Sequence, residues 1–134
     1  MLHLLTDDAQ QVMFRARDDA IRNGRWSVEP EDMFVALLAQ PQGELATALA
    51  RLGVSAEDVT QKLAQRLSSQ AAATNPTEFP FSTRTRQALT NAARLGGTQV
   101  TPKHLIVGVI EASAMVKSAL ADLGVVPQAL TDSL

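Results

Sequence analysis

The chain has 134 residues, 46% of them hydrophobic and 19% charged, with a formal net charge of −2 and no cysteine. That is enough apolar material for one domain with its own core. It excludes disulfide staples, thiolate metal sites and a thiol nucleophile.

The elements read as helical almost throughout. Thr6 is placed to cap a first helix, with Asp7 and Asp8 in the first turn, where the positive end of the helix dipole favours acids. Ala9, Val12, Met13, Ala16 and Ala20 recur at helical spacing, and Asn23-Gly24 ends the run. Pro30 suits the first turn of a second helix, whose apolar residues Met33, Phe34, Leu37 and Leu38 stop before Pro41. A third helix offers Leu45, Ala48, Leu49 and Leu52, closed by Gly53. Ser55 caps a fourth, with Asp58 three residues on and a stripe of Val59, Leu63 and Leu67.

Residues 68–80 read as a linker, built from Ser, Gln, Ala, Thr, Asn and two prolines without periodicity. Ser82 then caps a stripe of Ala88, Leu89, Ala92 and Leu95, ended by Gly96-Gly97. Pro102 opens Leu105, Ile106, Val109 and Ile110; Val116, Ala119, Leu120 and Leu123 end at Gly124; a last short helix offers Leu130 and Leu134. The β-branched cluster from Val107 to Ile110 is read as helix, because its periodicity outweighs propensity.

Four helices thus occur twice. Val28-Glu29-Pro30-Glu31-Asp32-Met33-Phe34 returns as Val100-Thr101-Pro102-Lys103-His104-Leu105-Ile106, and Leu49-Ala50-Arg51-Leu52-Gly53-Val54 as Leu120-Ala121-Asp122-Leu123-Gly124-Val125. Leu5-Thr6 answers to Phe81-Ser82. From Thr6 to Val28 is 23 residues and from Ser82 to Val100 is 19, a difference of about one helical turn that keeps the apolar face in phase. Each copy is then one packing unit.

This duplicated pattern resembles the amino-terminal domain of the Clp family of AAA+ unfoldases, which is built from two Clp repeats. The lead-ins Leu5-Thr6 and Pro80-Phe81-Ser82, the second-helix openings Glu31-Asp32-Met33-Phe34 and Lys103-His104-Leu105-Ile106, and the turns Leu49–Gly53 and Leu120–Gly124 carry it over residues 4–134. Pro30 and Pro102 replace the family's Thr, Asp32 its His and Lys103 its Glu. The resemblance implies an all-α fold of two tandem four-helix Clp repeats related by a pseudo-two-fold, about eight helices in a single domain over 1–134. The first repeat spans 4–67, the linker 68–80 and the second repeat 81–134.

It also implies a non-enzymatic receptor that binds protein substrates or adaptor proteins and passes them to an ATPase ring. No G-x-x-x-x-G-K-[ST] loop is present to hold nucleotide phosphates. The chain is therefore expected to be either part of a larger unfoldase or a stand-alone accessory protein that docks on the Clp ATPase or protease, or competes for its ligands. A monomer without cofactor or metal is expected.

In family members that bind phosphorylated arginine, the residues matching Thr6, Ser82, Glu31 and Lys103 form a pair of sites. A carboxylate there meets the guanidinium, while hydroxyl and helix-start N–H groups meet the phosphate. The first copy keeps Thr6 with Glu31; the second keeps Ser82 but offers Lys103 where an acid is needed. The plainer reading makes Thr6 and Ser82 N-caps and Glu31 a first-turn acid. Trp26, with Phe79 and Phe81, is either a binding anchor or a plug in the seam between halves, and for Phe81 the plug is preferred. Met13, Met33 and Met115 are read as core. His104, without a catalytic partner, is read as a cap, Glu31 and Asp32 as pointing apart, and Asp18 and Arg22 as an exposed i,i+4 pair.

Two other classes stand further off. A helical nucleic-acid-binding regulator is opposed by ten acidic against seven basic residues in 1–67, and only four against five in 68–134. A small hydrolase is opposed by the lack of a nucleophile–base set. The longest aliphatic run, Met33 to Ala39, has seven residues, and Met1-Leu2-His3 carries no basic-then-apolar leader. No membrane contact and a cytoplasmic location are expected.

Overall fold

A computed structural model describes residues 4–24, 27–40, 43–68 and 81–134. They form eight helices: α1 (Asp7–Arg22), α2 (Pro30–Leu38), α3 (Glu44–Arg51), α4 (Ala56–Ser68), α5 (Thr83–Gly96), α6 (Pro102–Ala112), α7 (Ala114–Asp122) and α8 (Pro127–Asp132). Helix α4 runs through Ser68, one residue into the expected linker; the rest of that linker, Phe79 and Trp26 lie outside the described residues.

Local chemistry sets the helix starts. The Thr6 hydroxyl accepts from the Ala9 N–H at 3.3 Å and the Ser82 hydroxyl from the Thr85 N–H at 3.1 Å, and both caps have φ −64° and ψ 165°. At the second helix of each repeat the third residue reaches back. Asp32 Oδ2 accepts from the Glu29 N–H at 2.8 Å, and His104 Nδ1 from the Thr101 N–H at 3.1 Å. His104 is thus a capping residue. Gly53 and Gly124 both close their helices at φ +81°, a left-handed turn that a Cβ would oppose.

The apolar stripes then meet in one core. Helix α2 buries eight of its nine residues, with Phe34, Met33 and Leu37 at zero exposure, so it is a central helix rather than a half-solvated one. It packs on α1 within its repeat and crosses α6, its counterpart, at the middle of the molecule. Helix α4 reaches over to α7, which closes the second side of the seam. The most extensive pairing is α5 on α6, where Gly108 faces the Ala88 carbonyl so closely that a Cβ would collide with it.

The repeats also exchange backbone bonds. Leu5 bridges Val100 and Val28 bridges Phe81, both in parallel. Thr6 N–H donates to the Val100 carbonyl at 2.9 Å, Val100 N–H to the Leu4 carbonyl at 2.7 Å, and Ser82 N–H to the Val28 carbonyl at 3.1 Å. Each repeat's lead-in therefore lies against the segment that enters the second helix of the other, and the two bridges are the reciprocal contacts of a pseudo-two-fold. Phe81 packs against the core as a partly buried plug.

Three details differ from the sequence reading. Leu52, placed on the stripe of the third helix, is the C-cap of α3 and is exposed. Leu95 closes the predicted stripe of α5 but is 51% exposed, although the next residue, Gly96, lies against His104 and Val100. Arg22 pairs with Asp19 at 3.4 Å instead of with Asp18, and Arg15 meets the same carboxylate at 3.8 Å; all are surface pairs of small energetic weight. No single helix among the described residues is long and apolar enough to cross a membrane; α6 and α7 meet that test only together, and they bend by 92°.

Candidate functional site

The seam where α2 and α5 begin holds the most concentrated charge in the interior. Glu31, the second residue of α2, is fully buried. Its Oε1 accepts from the Arg84 guanidinium at 2.9 Å, and its Oε2 accepts from the Ser113 hydroxyl at 2.6 Å. Ser113 Oγ accepts in turn from the Val116 N–H at 3.1 Å, capping α7. Arg84 also lies 3.7 Å from Glu29 Oε2, a buried oxygen with no hydrogen bond of its own. Next to this cluster Thr85 donates its hydroxyl to the Val28 carbonyl at 2.6 Å and receives the Ser82 hydroxyl at 3.1 Å.

A buried carboxylate is tolerable only when its charge and lone pairs are met. Here both oxygens of Glu31 are engaged by groups of the second repeat. The carboxylate is consequently a bolt between repeats, with Arg84 as the internal guanidinium it receives. Arg84 keeps 42% of its side chain exposed while its tip reaches inward, the usual behaviour of a long cationic side chain at a boundary.

The opposite seam, where α1 and α6 begin, carries the same positions with the charges reversed. Asp8 stands second in α1 where Arg84 stands second in α5, and Lys103 stands second in α6 where Glu31 stands second in α2. Lys103 is exposed, as is Asp8.

The hydroxyls and acids singled out from sequence are therefore grouped crosswise. Thr6 sits against Val100 of the second repeat, and Ser82 sits with Val28 of the first. The copy-by-copy pairing of Thr6 with Glu31 is corrected by the exchange of lead-in segments, which periodicity alone does not encode. Glu31 and Asp32 diverge as expected, one crossing the seam and the other turning back to its own N-cap. Arg84 and Ser113 were missed. Arg84 did leave a signal, since a cation in a helix's first turn opposes the dipole and needs compensation elsewhere. Ser113 was visible only as a small polar residue between Ala112 and Ala114.

Among the described residues no group of three or more His, Asp or Glu side chains is arranged to hold a metal ion. A profile of the Clp repeat (R) N-terminal domain matches residues 4–97. The chain belongs to the Clp repeat N-terminal domain family. It is 27% identical over 130 residues to the negative regulator of genetic competence ClpC/MecB of Bacillus subtilis, covering 93% of this chain and 16% of that protein. It is 24% identical over 132 residues to the chloroplastic chaperone protein ClpC1 of Arabidopsis thaliana, covering 95% of this chain and 14% of that one. The chain thus spans about a sixth of the length of these relatives.

Solved structures with this Clp-repeat fold include the Hsp104 N-terminal domain of Candida albicans, at TM-score 0.83 and 19% identity over 96% of this chain and 87% of that one. The N-terminal domain of the ClpV1 ATPase from the E. coli EAEC Sci1 type VI secretion system aligns at TM-score 0.72 and 20% identity, over 98% and 83%. These likenesses establish the fold: eight helices in two Clp repeats. Domains of this type in Clp and Hsp100 unfoldases bind substrates and adaptors without chemistry of their own.

Proposed function

We propose that this chain is a recognition module, binding protein substrates or adaptors on behalf of a Clp-type unfoldase. The observation that carries this reading is the family match together with the fold's agreement with N-terminal domains of such unfoldases over nearly its whole length. The interior supports it in a second way. Its fully buried acid, Glu31, serves the joint between repeats, which keeps a docking platform rigid and leaves recognition to the surface.

Recognition of phosphorylated arginine does not extend to this chain in our reading. Glu31 already holds Arg84, and Lys103 places a cation at the equivalent acid position of the other seam. A free guanidinium would have to displace a tethered one, at a large cost in effective concentration.

The test is photo-crosslinking of the folded 134-residue chain in native lysate, with mass spectrometric identification of partners. Enrichment of Clp ATPase subunits, their adaptors or their unfolded clients supports the module. Crosslinks dominated by nucleic acid, or none above a scrambled control, would sink it.

A further inference from the structure

The seam of α1 and α6 adjoins an open cleft of about 320 Å³. Its floor is apolar, from Val12 of α1, Ala36 of α2 and Pro102 of α6. Two carboxylates stand over it, Asp8 in the first turn of α1 and Glu44 in the first turn of α3, and both are exposed. Among the described residues neither forms an ion pair. The one cation on its wall, Arg15, is engaged by Asp19. Gln11 and Gln40 bring primary amides to the walls, each able to donate and accept.

The cleft does not end at Arg15. A shallower depression of about 480 Å³ shares Gln11 and Arg15 with it and continues along the outer face of α1 to Phe14. Phe14 is 59% exposed, a large apolar ring left mostly open to water among the described residues. Acid, amide and aromatic groups therefore follow one another along a single trough.

The bolted seam shows what the corresponding place accepts when it is filled from within. There the position of Asp8 is taken by Arg84, whose guanidinium crosses to a carboxylate of the other repeat. In the open seam Asp8 supplies the negative member and Lys103 stands at the place of Glu31, yet among the described residues the two form no ion pair, so the Asp8 carboxylate keeps its acceptor oxygens free.

We propose that this trough seats an extended segment of a partner polypeptide, with a lysine or arginine side chain in the cleft between Asp8 and Glu44 and an adjacent apolar side chain on Phe14. The inference rests on the recognition-module reading and names the chemistry that module selects. The basic side chain meets two carboxylates over an apolar floor that suits its methylene stem. The glutamine amides meet the segment's main chain. Both carboxylates lie near helix starts and in solvent, so the attraction is modest and salt-sensitive. Its value is in choosing among segments more than in holding them.

The test is a ¹H–¹⁵N correlation titration of the intact chain with the blocked peptide Ser-Gly-Arg-Leu-Gly, and with its counterpart carrying Glu for Arg. The expected result is saturable shifts at the amides of Gln11, Gln40 and Gly43, with the Glu peptide producing none. In the folded double variant Asp8→Asn/Glu44→Gln the apparent Kd for the Arg peptide should rise about fivefold, the equivalent of losing two exposed charge pairs. Phe14→Ser should weaken binding of the Arg-Leu peptide but not of an Arg-Gly peptide. Equal response to the Glu peptide, an unchanged Kd in the double variant, or no saturation by roughly 5 mM each overturns the proposal. Failure of the module reading is separate. If the double variant crosslinks to the same Clp components as the wild type, the trough falls and the module stands; if the wild type crosslinks to none, the module falls whatever the peptide does.

Discussion

Arg84 and Glu31 meet at 2.9 Å across the seam, and the acid is fully buried while the base is partly in water. Removing the base therefore does more harm than removing the pair. Arg84→Met leaves a buried carboxylate with only Ser113 as partner, and should cost about 3 kcal/mol in urea unfolding. Arg84→Met/Glu31→Met should recover a large part of that loss. A double variant no more stable than Arg84→Met would show that Glu31 is not held as described.

Ser113 serves two masters, accepting from Val116 N–H to cap α7 and donating to Glu31. Ser113→Ala should lower stability by about 2 kcal/mol, combining a lost cap with an unmet carboxylate oxygen. Ser113→Thr keeps both bonds and should retain most of the stability. Thermal unfolding of the two variants separates these outcomes.

Gly108 lies where α6 touches the backbone of α5, with Ala88 and Ala92 against it. Gly108→Ala gains helix propensity of about 1 kcal/mol yet forces the helices apart, and the net result should be a loss of about 1–3 kcal/mol. A stabilised variant would mean that the α5–α6 approach is looser than drawn. The first repeat has Ala36 at the matching position.

The exposed end of α5 gives a contrast within one helix. Leu89→Ala, at 3% exposure, should cost about 2–4 kcal/mol. Leu95→Gln, at 51% exposure, should change stability by less than about 0.5 kcal/mol. Similar losses at the two sites would contradict the way α5 is laid on the core.

These contrasts mark what was legible in the sequence. Caps, helix ends and the inward residues follow from near-neighbour chemistry, so Thr6, Ser82, Gly53 and Gly124 declared themselves. Duplication gave the element count, because a chain that repeats its apolar spacing repeats its packing unit. Partner choice did not follow. Periodicity says that Glu31 and Leu95 lie on particular helix faces, but not which helix covers them or how far that cover extends. The same gap hid the crosswise seating of Thr6 and Ser82, and let Asp18 stand in for its neighbour Asp19 beside Arg22. Long-range ion pairs such as Arg84 with Glu31, 53 positions apart, leave only a faint local trace in a misplaced charge.

The reciprocal bridges of Leu5 with Val100 and Phe81 with Val28 make the halves interdependent rather than merely adjacent. Synthesised as separate polypeptides, residues 1–68 and 81–134 would each lack the surface that orders its opening segment. Mixed, they have the edges to find one another and restore the whole, so the natural place to cut this protein for a two-piece complementation assay is between its copies, and a deletion of either copy should abolish the fold instead of halving it.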